Sequence, residues 1–286
     1  MSGQKKTCEL VLAIVGYIIL HSQNGSAQER FVYKKIDTLS LCMEIYSPKH
    51  GKSSKKYPAI VFFFGGGWVQ GNIAQFRPHA EYFSDRGMIS VLVDYRVFSR
   101  NKSTPFESLE DAKSAIRFLR SNAEKFHIDP DRIVASGGSA GGQLAAAAAT
   151  CKKYNDRNDD LGVSARPNAL VLFNPVIDNG PGGYGYERIG DEYLYFSPLH
   201  NLRKGEVPPT IIFLGTEDEA IPVETVRYYK KVMEKIGSRC DLHLYEGQKH
   251  GFFNFKNIKY YKITLIKADE FLTSIGFLKG PIPQSN

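Results

Sequence analysis

Two apolar runs constrain this chain most. YPAIVFFF at residues 57–64 and ISVLVDY at residues 89–95 lack the in-out alternation of a strand that faces water on one side. Runs of that kind suit strands covered on both faces, and such strands belong to parallel sheets flanked by helices. Between and after them the period changes to that of a helix. Residues 75–86 read as helical, and Leu109, Ala112, Ala115, Ile116 and Leu119 predict an amphipathic helix over 107–125. A short strand at 133–136 is followed by an alanine-rich helix at 140–150. Further apolar strands are predicted at 169–173, 210–214 and 242–245. Val226, Tyr229, Met233 and Ile236 mark one late helix, and Tyr261, Leu265, Ala268, Leu272 and Ile275 another. Strands alternating with helices predict an α/β fold with a mostly parallel central sheet and helices on both faces.

The N-terminal side differs. Leu39, Leu41, Met43 and Ile45 alternate as in a half-exposed strand, and the polar turn KHGKSSKK at 49–56 reads as a hairpin before the run at 57. No linker-like break interrupts residues 28–286, so they are read as one domain. Residues 1–27 read as a signal peptide. Lys5 and Lys6 precede an eleven-residue apolar run, and Gly25-Ser26-Ala27 offers small residues for cleavage near Ala27. That run is too short to span a bilayer comfortably, so export to the periplasm or the exterior is expected rather than stable membrane insertion.

Removing Lys5, Lys6 and Glu9 lowers the net charge from +7 to +6. The remaining basic residues are scattered and include no arginine-rich helix, which argues against a nucleic-acid partner. Cys42, Cys151 and Cys240 would remain and permit at most one internal disulfide. No Cys-x-x-Cys pair is present, and neither a metal nor a cofactor is expected. Nothing in the sequence specifies an oligomeric state.

The segment RIVASGGSAGGQLAAAAA carries the chemistry. Gly137-Gly138-Ser139-Ala140-Gly141 has the pattern G-x-S-x-G, with a strand directly before it and a small-residue helix directly after. A serine on so sharp a turn is lifted above the sheet, and flanking glycines relieve the crowding. Its hydroxyl needs a base. His250 lies just past the last predicted strand, with His200 as the rival; His79 is assigned to a surface helix. A carboxylate must orient that base. GTEDEAIP supplies Asp218, with Glu217 as the alternative, again just past a strand. A glycine triplet in FGGGW, residues 64–68, ends another strand at the same sheet edge. Gly65, Gly66 and the N–H of Ala140 are the expected oxyanion donors. The loop NGPGGYGYERIGDEYLYFSP at 179–198 is aromatic, so Tyr184 and Tyr186, together with Trp68, are candidate substrate contacts.

With FGGGW, GGSAGG, GTEDEAIP and GQKHGFF in this order, the chain resembles the α/β-hydrolase superfamily, in its compact esterase/lipase branch near the hormone-sensitive-lipase-like and bacterial acetyl esterases. The likeness runs over about residues 31–278. It implies a Ser139–Asp218–His250 triad, an acyl-enzyme and a small ester or acylated carbohydrate as substrate. Two departures stand out. Relatives usually have histidine before the three glycines, where this chain has Phe64, so the loop must be held differently. The N-terminus is also too short for the helical cap of lipase-like members, so no large cap domain is expected and long acyl chains are disfavoured. An exported, capless esterase with aromatic walls resembles enzymes that remove acetyl or feruloyl groups from plant polysaccharides. A lipase acting on longer esters or a peptidase of prolyl-oligopeptidase type are the alternatives. The peptidase usually needs a propeller for which there is no room, and a dienelactone-hydrolase-like enzyme would more often use cysteine.

Overall fold

The apolar runs become neighbouring strands at the centre of one sheet. The computed structural model describes residues 28–49 and 55–282; the expected leader and most of the polar turn at 49–56 lie outside the described residues. The strands are β1 (Gln28–Ile36), β2 (Leu39–Tyr46), β3 (Tyr57–Phe63), β4 (Ile89–Val93), β5 (Ile128–Gly138), β6 (Ala169–Phe173), β7 (Thr210–Gly215) and β8 (Cys240–Tyr245). Their spatial order is β1-β2-β4-β3-β5-β6-β7-β8. β1 and β2 pair antiparallel, as do β2 and β4, and the remaining pairs are parallel.

Among the described residues the helices are α1 (Arg77–Asp85), α2 (Phe98–Asn101), α3 (Pro105–Ser121), α4 (Ala140–Thr150), α5 (Tyr186–Ile189), α6 (Tyr193–Phe196), α7 (Val223–Lys235) and α8 (Ile258–Ser274). The pleat of β3 explains its lack of alternation. Ala59, Val61 and Phe63 face a core shared with α3, α4 and α7, whereas Ile60 and Phe62 face a second core shared with α1 and α8. Both faces are dry. Burying a side chain such as Phe62 contributes about 2–3 kcal/mol.

Local chemistry sets the element ends. α3 starts two residues before its predicted position because Thr104 Oγ1 accepts the Glu107 N–H while Glu107 Oε2 accepts the Thr104 N–H. The helix expected at 75–86 splits into a 3₁₀ turn (Ile73–Phe76) and α1, since Pro78 tolerates only a first turn. β5 begins five residues earlier than predicted: Tyr57 pairs with Ile128 across the polar stretch closed by the Asp129–Arg132 ion pair at 2.7 Å.

The hairpin expected around residues 49–56 is a correction. β4 lies between β2 and β3, so these two are not neighbours, and the hairpin of this region joins β1 to β2 instead. The buried runs of β3 and β4 prefer each other as parallel partners, which leaves the half-exposed β2 at the outer side. No inserted domain covers the sheet among the described residues. The segment read as a loop at 179–198 contains α5 and α6, each four residues long and too short to show a helical period.

Candidate active site

The four strands β5, β6, β7 and β8 are consecutive neighbours, and each delivers one polar side chain just past its C-terminal end: Ser139, Asn174, Asp218 and His250. Ser139 sits at φ 55°, ψ −119°, between β5 and α4. A non-glycine residue there costs on the order of 1–3 kcal/mol. The turn is locked from below, because Ser139 N–H donates to Phe173 O at 3.0 Å and Ser139 O accepts from Val176 N–H at 3.2 Å. It is also packed too tightly for larger residues. A Cβ on Gly141 would stand 2.0 Å from Phe63 O and 2.3 Å from Phe64 O.

His250 Nε2 lies 2.9 Å from Ser139 Oγ, and its Nδ1 lies 2.8 Å from Asp218 Oδ2 and 3.0 Å from Oδ1. Asp218 is fully buried at its side chain and also accepts the N–H groups of Ala220 and Ile221, each at 2.9 Å. Those bonds fix the carboxylate, which as an acceptor requires the proton on Nδ1. Nε2 is then free to take the serine proton. Asn174 supports the same tautomer. Its Oδ1 accepts Gly251 N–H at 3.0 Å, which turns its Nδ2 toward His250 Nε2 at 3.3 Å. Sequence reading missed Asn174, although its place just past β6 was a usable signal. Glu217, the alternative acid, makes no side-chain bond to His250. His200 bonds Ser197 Oγ and faces Asp178, away from the cleft.

The glycine loop needs one correction. Gly65 was expected to donate to an oxyanion, but its N–H is already taken by Gln75 Oε1 at 2.6 Å. Among the described residues the N–H groups of Gly66 and Gly67 have no acceptor and border the cleft beside Ser139, so Gly67 stands where Gly65 was expected, and Gly66 and Ala140 remain candidates. Ala140 N–H belongs to the first turn of α4 and has no helical acceptor. Gly66 adopts φ 132°, and a Cβ on it would meet Gln70 O at 2.1 Å, so only glycine can hold this turn.

How the loop is held without a histidine at position 64 is now visible. Phe64 stacks on Tyr95 at 4.1 Å, and the Tyr95 hydroxyl donates to Phe64 O at 2.6 Å. Gln75 Nε2 donates to Asn254 Oδ1 at 3.0 Å, and Asn254 Nδ2 donates to Gly251 O at 2.7 Å. A row of side-chain amides thus ties the oxyanion loop to the loop carrying His250.

Of the three predicted substrate contacts, Tyr184 alone lines the cleft. Trp68 is a correction: it is 1% exposed and packs against Tyr184 and Phe196 beneath the surface. Its size favoured the core over the wall. Tyr186 is another, since it stands against Tyr193 and Asp191 outside the lining. Arg188, which sequence reading passed over, does line the cleft.

His79 is a further correction. It is fully buried among Phe62, Phe76, Phe173, Phe253 and Tyr261, with neither ring nitrogen bonded, and burial pushes its pKa down to about 3. Cys42, Cys151 and Cys240 are all free thiols. Among the described residues no three His, Cys, Asp or Glu side chains gather as metal ligands, and no helix is long and apolar enough to cross a membrane. The cleft measures about 520 Å³.

Two family models match the chain: BD-FAE over residues 43–181 and the dienelactone hydrolase family over residues 194–275. Among solved structures, esterase 2 of Thermogutta terrifontis phosphorylated by paraoxon is 46% identical, with a TM-score of 0.84 over 89% of this chain and 96% of that one. The same esterase with propionate bound is 45% identical, with a TM-score of 0.84 over 90% and 97%. An isoprenylcysteine alpha-carbonyl methylesterase of Arabidopsis thaliana is 25% identical over 85% of this chain. An acetylxylan esterase of Xylanibacter ruminicola is 27% identical over 76%. The chain spans 62% and 45% of the lengths of these two curated relatives.

Proposed function

Because the chain belongs to the esterases of the α/β-hydrolase superfamily, we propose that it is a serine carboxylesterase that removes short acyl groups, above all acetyl, from carbohydrates, with the aromatic feruloyl group as the other candidate. The observation that carries the reading is the continuous row of bonds from Asp218 through His250 to Ser139, opening into a cleft beside free backbone N–H groups. In this mechanism His250 Nε2 takes the Ser139 proton as Oγ attacks the ester carbonyl. The carbonyl oxygen gains negative charge and accepts the N–H groups of Gly66, Gly67 and Ala140. The proton on His250 then passes to the departing alcohol. Water, deprotonated by the same nitrogen, attacks the acyl-enzyme, and the acid leaves as Ser139 regains its proton.

Short acyl groups suit the walls. Only Val69, Phe253 and the ring of Tyr184 give the lining substantial apolar surface, and a related esterase has been seen with propionate bound. An acetylxylan esterase among the relatives supports a carbohydrate alcohol. Export after cleavage near Ala27 is part of the proposal, and N-terminal sequencing of protein recovered outside the cytoplasm tests it.

The test of the activity is hydrolysis of p-nitrophenyl acetate, butyrate and octanoate by the protein and by Ser139→Ala. The expected result is a loss in the variant of about 10⁴ or more, with rates falling steeply toward octanoate. Equal, near-background rates in both proteins would remove the esterase reading.

A further inference from the structure

Among the described residues that line the cleft, Arg188 is the one arginine or lysine, and none is an aspartate or glutamate. Arg188 Nη1 donates to Gly67 O at 2.5 Å, which anchors the guanidinium one residue beyond the oxyanion donor Gly66. The guanidinium also rests against two aromatic rings, 5.2 Å from that of Trp68 and 5.7 Å from that of Tyr184, which touch each other at 5.9 Å. These contacts remove most of its conformational freedom before any ligand arrives. Its Nε reaches Glu187 Oε1 at 3.1 Å, but that carboxylate is 71% exposed and so is heavily screened. Among the described residues neither Nη2 nor the Tyr184 hydroxyl in the same wall has a hydrogen-bond partner. An ordered cation with a spare donor pair beside a phenol is matched by a planar carboxylate.

We propose that Arg188 and Tyr184 form a carboxylate subsite, so that the preferred substrate is an ester carrying an acid group within a few bonds of the scissile carbonyl. This rests on the esterase reading and narrows it. The acid can come from either side of the ester: a dicarboxylic half-ester supplies it with the acyl group, and an acylated uronic acid supplies it with the alcohol.

The experiment compares kcat/KM for mono-p-nitrophenyl succinate and p-nitrophenyl butyrate, which share a four-carbon acyl chain and differ in the carboxylate. Acetylated methyl glucuronide and methyl glucoside make the corresponding pair on the alcohol side. In one pair the wild type is expected to favour the charged ester, through KM, and to lose that preference as salt rises. Arg188→Gln should reduce the preference by about ten- to a hundredfold, while Arg188→Lys, which keeps a charge but loses the fork, should retain part of it. Which pair responds identifies the source of the acid. Equal losses on charged and neutral esters in Arg188→Gln would mean that Arg188 merely braces Gly67, and would overturn the proposal. So would a wild type with no charge preference in either pair. Absence of Ser139-dependent hydrolysis of every ester is a different result, and it would remove the esterase reading together with this one.

Discussion

The two walls of the cleft are built by different means. On one side Ser139, Asn174, Asp218 and His250 follow the ends of four adjacent strands, so the ladders that pair β5 to β8 set their spacing. On the other side the Gly65–Gly67 turn and the segment with Tyr184 and Arg188 are held by side chains: Gln75, Tyr95, Trp68 and Arg188 itself. A wall fixed by backbone ladders tolerates change at its surface and fails at its functional atoms. A wall fixed by side-chain bonds should fail by degrees, as each brace is removed.

Asp218→Asn probes the first wall, and the largest effect is expected there. Folding should be kept, because the amide oxygen can still accept Ala220 and Ile221 N–H, but the His250 tautomer would be wrong. A fall in kcat of about 10⁴ is expected, and a fall below tenfold would mean that the strand-borne wall does not carry the chemistry. Gln75→Leu probes the second wall and should act more gently. It frees Gly65 N–H and cuts the amide row to Asn254, so kcat should drop about ten- to a hundredfold with KM nearly unchanged. A change confined to KM would show that the glycine loop is braced elsewhere.

The smallest effect concerns the ground beneath both walls. His79 is neutral in the fold and charges readily only when unfolded. With its pKa depressed to about 3, its contribution is complete above the unfolded value near 6.5 and falls away as the pH drops toward 3. The slope is about 1.4 kcal/mol per pH unit. Urea midpoints at pH 7 and pH 4.5 should therefore converge in His79→Phe relative to the wild type. An unchanged acid slope in that variant would assign the sensitivity to other groups.

The same division explains what could be read in the chain beforehand. Both buried runs, the alternation of strands and helices that predicts a parallel sheet, and the placing of Ser139, Asp218 and His250 just past strand ends follow from periodicity and from the places where strands end. The insertion of β4 between β2 and β3 does not, since it depends on which strands prefer each other rather than on either alone. Gly65 and Gly66 looked equivalent in a glycine triplet until Gln75, ten residues on, engaged one of them. Trp68 and Tyr184 had the same aromatic signal, yet one became core and the other wall. Such assignments arise from long-range packing that leaves no local pattern. Arg188 was one basic residue among many until the fold set it beside Trp68 and Tyr184.

The left-handed backbone of Ser139 has one further consequence, for inheritance rather than for catalysis. A codon change to glycine at this position would relax the turn and make the chain more robust while removing the proposed nucleophile. Folding and chemistry therefore pull this residue in opposite directions, so a lineage that ceased to need the hydrolysis would feel no structural pressure to keep the serine. The side chain at 139 serves as a ledger of use: in descendants of this protein, serine there marks an activity still under selection.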